Sequence, residues 1–197
     1  MQNEQNLKKH KRKMLTKQLC INAALMALFV VLDMYSIKIG NNMKITFSGL
    51  PIIIAAIYYG PVSGLAVGLI GAFIGQLIQF GIGITTFLWI LPAGIRGLLV
   101  GLSVMCLKKH DILHEVKLGK IKVYPILTVV IIISSLIVTL SNTIIMYPAS
   151  KIDGYYHETL ITATLAWRFI NSVITAIIYS IIVPLLLKPL NKAIGKN

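Results

Sequence analysis

The chain has 197 residues, of which 56% are hydrophobic and only 13% charged, and its mean hydropathy is +0.81. Soluble domains carry about 25% charged residues, so this composition excludes an ordinary soluble enzyme and a disordered tail; the succession of long apolar runs indicates a polytopic membrane protein. The net charge of +13, from 19 basic and 6 acidic residues, would suggest nucleic acid in a soluble protein, but in a membrane protein its placement decides its meaning.

Six apolar runs follow in order. A basic N-terminal segment, 1–13, with Lys8, Lys9, His10, Lys11, Arg12 and Lys13, precedes a first run over 19–32 that extends back toward Met14. The stretch 33–44 is polar, contains Gly40, Asn41 and Asn42, and reads as a loop. The second run, 45–59, is interrupted by Pro51 and ends at a Gly60-Pro61 turn. The third covers 62–80, the fourth 87–107, the fifth 123–146 and the sixth 159–187. A charged connector, 108–122, separates the fourth from the fifth, and a loop over 147–158 separates the fifth from the sixth. The pattern predicts an all-α membrane protein: one six-transmembrane-helix bundle over 14–192, with a short tail over 193–197.

Six spans put both termini on one side of the membrane. On that side lie fourteen Lys and Arg: six from Lys8 to Lys17, five in the connector and three from Lys188 onward; the other side holds Lys38, Lys44 and Lys151. This bias places both termini in the cytoplasm. The N-terminal cluster reads as an orienting anchor near anionic lipid. Without interleaved aromatics it gives no support to nucleic-acid binding, and a cleaved signal peptide is not expected. Cys20 and Cys106 fall near cytoplasmic ends, where thiols stay reduced.

The acids are Glu4, Asp33, Asp111, Glu115, Asp153 and Glu158, all outside the apolar runs. Ion-driven carriers usually hold their coupling ion on an intramembrane carboxylate, although backbone carbonyls also hold sodium. No phosphate loop is present, so the chain does not itself hydrolyse ATP. His110 and His114 have helical spacing but no third ligand, so no metal is expected. No HExxH motif and no nucleophile with a plausible base is visible, so the chain reads as no enzyme and needs no cofactor.

Two basic residues remain inside apolar runs, Arg96 and Arg168. Arg96 lies roughly 15 Å into the fourth helix at 1.5 Å per residue, and Arg168 at a similar depth in the sixth. A buried charge costs at least about 2.5–3.5 kcal/mol on insertion scales and must find a partner. Helix carbonyls, the loop acids Asp33, Asp153 and Glu158, or an external anion remain as partners. An arginine that only ties helix ends together is the alternative to a ligand site. Two such residues entering from one face favour an anionic ligand.

Polar stripes point the same way. Thr164, Arg168, Asn171, Thr175 and Tyr179 recur every three or four residues along the sixth helix. Ser135, Thr139 and Asn142 share a side of the fifth, and Trp89, Arg96 and Ser103 recur every seven residues in the fourth. Such stripes face protein or a cavity rather than lipid, and interhelical hydrogen bonds alone are the competing explanation. Tyr35, Phe47, Phe80, Phe87, Trp89, Tyr147, Tyr155, Tyr156 and Trp167 cluster at outer ends as an interface belt, from which a few are placed to stack on a planar ligand. Gly64, Gly68, Gly71 and Gly75 fall on one face of the third helix, a tight packing seam. Ala23 and Ala27 form a small-xxx-small patch on the first.

These features together resemble the substrate-binding S component of an energy-coupling factor (ECF) vitamin transporter, of the folate-type or a neighbouring branch. The resemblance runs from about Met14 to Lys192. It is carried by Lys44-Ile-Thr-Phe-Ser-Gly-Leu-Pro51, by Tyr59-Gly60-Pro61-Val62-Ser63-Gly64, and by Leu91-Pro92-Ala93-Gly94-Ile95-Arg96-Gly97-Leu98. The segment from Asn142-Thr143 to Tyr155-Tyr156 and the surroundings of Arg168 also fit. The YGP turn, the glycine-rich third helix and the R-G of the fourth are moderately specific as a set.

The resemblance implies a bacterial, multi-pass plasma-membrane protein that binds a small-molecule vitamin from outside under loops one, three and five. It also implies docking onto a transmembrane coupling subunit with two ATPase subunits, through an AxxxA patch that maps to Ala23 and Ala27. One departure stands out. Folate-type members often carry an aspartate in the third helix, whereas Gly71-Ala72-Phe73-Ile74-Gly75 has no acid, which points toward pantothenate, a pyrimidine precursor or another small vitamin. The expected substrate contacts are Arg96 and Arg168 for an anion, Asn142, Asn171 and Thr164 for hydrogen bonds, and Trp89 and Trp167 for stacking. Segments 39–43 and 153–157 are expected to close over the ligand. A stand-alone secondary transporter or channel is the rival reading, and an intramembrane enzyme is third.

Overall fold

A computed structural model of the protein describes residues 2–39, 43–108, 124–152 and 158–194. The middle of the first expected closing segment, the whole of the second (153–157) and the connector with His110 and His114 lie outside the described residues.

Six described helices form a bundle. The first, α1 (Gln2–Met34), runs without a break through the basic segment, and its apolar part is Met14–Met34. Next comes an antiparallel hairpin of β1 (Ile37–Ile39) and β2 (Met43–Ile45), with Ile37 opposite Ile45 and Ile39 opposite Met43. It occupies most of the stretch that the sequence presents as a loop. The remaining helices are α2 (Gly49–Tyr59), α3 (Pro61–Phe80), α4 (Thr86–Lys108), α5 (Tyr124–Ile152) and α6 (Glu158–Ile194). Five of the six described helices hold apolar spans of 20 to 22 residues, which at 1.5 Å per residue match a hydrocarbon core of about 30 Å.

The exception is α2. Its 11 residues reach only about 16 Å, and every residue from Gly49 to Tyr58 is buried. A helix that is apolar all round belongs inside a protein, and α2 packs against α1, α3, α4 and α6. Ile52, Ile53, Ala55 and Ala56 form the centre of the core. Pro51 is no interruption here: it stands in the first turn, where the amide it lacks would have no intrahelical partner. The apolar run begins earlier than the helix because Ile45 belongs to β2. At the far end Gly60 takes φ +91°, a left-handed conformation that lets the chain reverse into Pro61 at the start of α3.

The glycine face of α3 is divided among α4, α1 and, at Gly64, Ala56 of α2. A Cβ on Gly64 would lie 2.8 Å from the Gly97 carbonyl oxygen of α4, and one on Gly68 would run into the Ala93 carbonyl. A Cβ on Gly71 would lie 2.9 Å from the Phe29 ring of α1, whereas one on Gly75 would sit 3.6 Å from an Asp33 carboxylate oxygen. On α4, Gly94, Gly97 and Gly101 answer with equally close approaches to Leu69, Gly64 and Pro61. With no hydrophobic drive between helices in lipid, this backbone proximity supplies the packing.

The α5–α6 pair is joined differently. Ser172 donates to the Ser135 carbonyl across the pair at 3.1 Å. Most other hydroxyls turn back to their own helix: Thr139 to Ser135, Thr175 to Asn171 and Ser180 to Ala176. Back-bonding of this kind satisfies a hydroxyl in apolar surroundings without a neighbour.

Candidate functional site

One end of α4 carries Trp89 and Arg96, two helical turns apart and on one face. Pro92 lies between them and removes the amide that would bond the Leu88 carbonyl. All three line a cavity of about 230 Å³. The rest of its wall comes from Phe29 and Asp33 of α1, Thr46 and Ser48 before α2, Ile52 of α2, Ala72 and Gln76 of α3, Ala93 of α4, and Val138 and Asn142 of α5. Ala72 belongs to the stretch where the sequence lacks the folate-type acid, so that departure falls on the cavity wall itself.

The Arg96 guanidinium is placed by contact with two elements, α6 and α2. Its central carbon stands 5.8 Å from the centre of the Tyr179 ring of α6, within the range of a cation–π contact. It also rests against Gly49, where any Cβ would collide with the guanidinium and come within 2.7 Å of the Tyr179 hydroxyl. Glycine at the first position of α2 therefore makes the room in which arginine and tyrosine meet. Tyr179 is fully buried. Its hydroxyl donates to the Thr46 carbonyl at 2.7 Å and accepts from the Gly49 amide at 3.2 Å, tying α6 to the segment that enters α2 and to its first residue. Arg96 Nε is buried and has no hydrogen-bond partner among the described residues. A buried donor without a partner costs about 1–3 kcal/mol, more when charged.

A carboxylate stands in the same cavity. The sequence ends the first apolar run before Asp33, but the helix continues to Met34 and carries Asp33 in its last turn, one turn beyond Phe29. Gln79 of α3 donates to Asp33 Oδ2 at 2.8 Å, and Ser48 donates to Oδ1 at 3.4 Å. The expectation that every acid lies outside the apolar runs fails here, since the apolar span of α1, Met14–Met34, includes Asp33. Hydropathy falls at a charge, while helical hydrogen bonding does not.

Of the expected substrate contacts, Arg96, Trp89 and Asn142 are brought together on this wall. Arg168, Asn171 and Trp167 are not among its lining residues. Arg168 and Asn171 are half-buried, each with an interaction of its own, and Trp167 is 57% exposed. Thr164 lies in α6 with its side chain outside the described set. Ala23 and Ala27 are exposed on α1. Phe29, Asp33, Ser48 and Gln76 were not legible as site residues. A signal existed for some of them: Phe29 and Asp33 are spaced i, i+4, and Gln76 and Gln79 are the only amides in the apolar third run.

The family described as the substrate-specific component of ECF transporters matches residues 17–187. A solved structure, of the S component of a bacterial ECF transporter, has the same fold. It is 18% identical, superposes with a TM-score of 0.61, and the match covers 92% of this chain and 99% of that one. No curated protein matches the chain in sequence. Since the family match takes in every described helix except the first half of α1 and the end of α6, the chain belongs to the substrate-specific components of ECF transporters and is an integral membrane protein.

Proposed function

We propose that this chain captures a compact, anionic, water-soluble vitamin or vitamin precursor outside a bacterial cell and delivers it through an ATP-driven coupling module. The observation that carries the reading is the buried Arg96 Nε, without a partner among the described residues, in a cavity Arg96 shares with Trp89 and Asn142. A donor in that position is completed by an acceptor from solution. The cavity, at about 230 Å³, falls below the range of about 300–1,000 Å³ usual for drug-sized ligands. That size favours a pantothenate-like or pyrimidine-like molecule over a whole folate. Arg168, Asn171, Thr164 and Trp167 form a second group on α6 that contributes from outside this wall.

The excess of Lys and Arg at both termini and in the connector supports a cytoplasmic placement of both ends. Ala23 and Ala27, exposed on α1, are the proposed contact with the transmembrane coupling subunit, which in turn carries two ATPases. Reconstitution of the chain alone into liposomes tests the function. Binding without uptake is expected, and uptake without any ATPase would instead establish a stand-alone carrier. In the complete transporter, Ala23→Trp and Ala27→Trp should block uptake and leave binding intact. Co-purification of the coupling subunit with both variants would remove the docking assignment.

A further inference from the structure

The cavity holds both signs of charge: a guanidinium from α4 and a carboxylate from α1. Resting on the anion site proposed above, we infer that the substrate is bipolar: besides its anionic group it carries a basic or N–H-donating nitrogen, and Asp33 reads that nitrogen.

Asp33 is held in position by the fold. Gln79 fixes one oxygen from α3 and Ser48 the other from the segment entering α2. Ser48 is the neighbour of Gly49, on which Arg96 rests, so the two charges belong to one region of the wall. Asp33 has a further interaction besides those with Gln79 and Ser48, and a carboxylate, which only accepts hydrogen bonds, has about four lone-pair sites. A ligand bearing nothing but an anion would enter beside this like charge, in surroundings where water screens it poorly. A ligand that brings a donor to Asp33 and an acceptor to Arg96 replaces that repulsion with two charge-assisted hydrogen bonds. A site built around a fixed polar group also rejects analogues that lack the matching partner. Phe29 and Trp89 supply aromatic faces for a ring between the two polar ends.

The test uses the full chain purified in detergent and a set of probes on one ring. Benzoate carries the anion alone, benzylamine the cation alone, and the ortho, meta and para isomers of aminomethylbenzoate carry both at three separations. Affinities are measured by isothermal titration. At least one isomer should bind about tenfold or more tighter than either single-charge probe. Asp33→Asn should abolish that preference, so that the variant binds the isomers no tighter than it binds benzoate. A merely structural role for Asp33 would lower the melting midpoint of the variant and leave its charge preference in place, which overturns the inference. Equal binding of benzoate and every isomer, or no binding of any isomer, overturns it too. The anion site fails separately, if benzoate does not bind or if Arg96→Gln binds it as well as the natural chain does.

Discussion

Arg96 and Arg168 stand at similar depths in α4 and α6, yet their surroundings differ in kind. Around Arg96 the other five described helices and the segment entering α2 converge. The guanidinium touches Gly49 and Tyr179, and its Nε is buried without a partner among the described residues. Around Arg168 the helix faces outward: Ala166, Trp167 and Ile170 are exposed, and Arg168 already has an interaction of its own. Depth in an apolar helix therefore does not make a site. What distinguishes Arg96 is that α3 and α4 approach through paired glycines, which brings the Arg96 face of α4 against α2. The α5–α6 pair, joined in part through Ser172 and Ser135, has no comparable seam among its described residues.

The sharpest way to break this contrast is to remove the charge at Arg96. Arg96→Gln should weaken ligand binding by about 2–5 kcal/mol, the usual penalty for truncating a buried charged partner. The fraction of purified protein that retains a small molecule, read by native mass spectrometry, measures it. Retention equal to the natural chain would dissolve the difference between the two arginines. A smaller effect is expected from Gly97→Ala. The added methyl meets the Gly64 carbonyl, and overpacking of this kind costs about 1–3 kcal/mol. The melting midpoint in detergent should fall, and an unchanged midpoint would mean that the α3–α4 seam is slack.

Next in size is Tyr179→Phe, which keeps the ring under Arg96 but removes the hydroxyl that joins Thr46 to Gly49. A loss of about 1–2 kcal/mol in stability is expected. The amide of Gly49 should exchange with deuterium faster, while amides at the middle of α5 should not change. Equal exchange at Gly49 in both proteins would show that α2 starts correctly without its tie to α6.

What the sequence made legible follows the range of each interaction. The long helices and the glycine face of α3 are set by spacing within a single element, and both appear in the periodicity. Tyr179 also appears, as the last member of a polar stripe, but its partners are 130 and 133 residues away, and no local pattern points to them. Asp33 escaped because a charge ends a hydropathy window. The hairpin of β1 and β2 escaped because two three-residue strands have too few positions to show alternation. The brevity of α2 was hidden for the opposite reason: apolar residues continue on both sides of Gly49, and only tertiary packing separates strand from helix.

Arg168→Ala is the finest instrument for the comparison. If Arg168 met the ligand as Arg96 is proposed to, its loss would be as severe. Its exposed neighbours and existing interaction instead predict about 1 kcal/mol of lost affinity, roughly fivefold. That effect would arise by loosening the outer half of α6 above Tyr179. Asn171 lies about one turn beyond Arg168, Thr175 about two and Tyr179 about three, so the disturbance should travel through the α6 backbone. The double variant with Tyr179→Phe then discriminates. Contact with the ligand gives additive losses, whereas action through Tyr179 makes the second substitution nearly silent. Additive losses with a large Arg168 effect would place both arginines on the ligand, and α6 would become the second wall of the site.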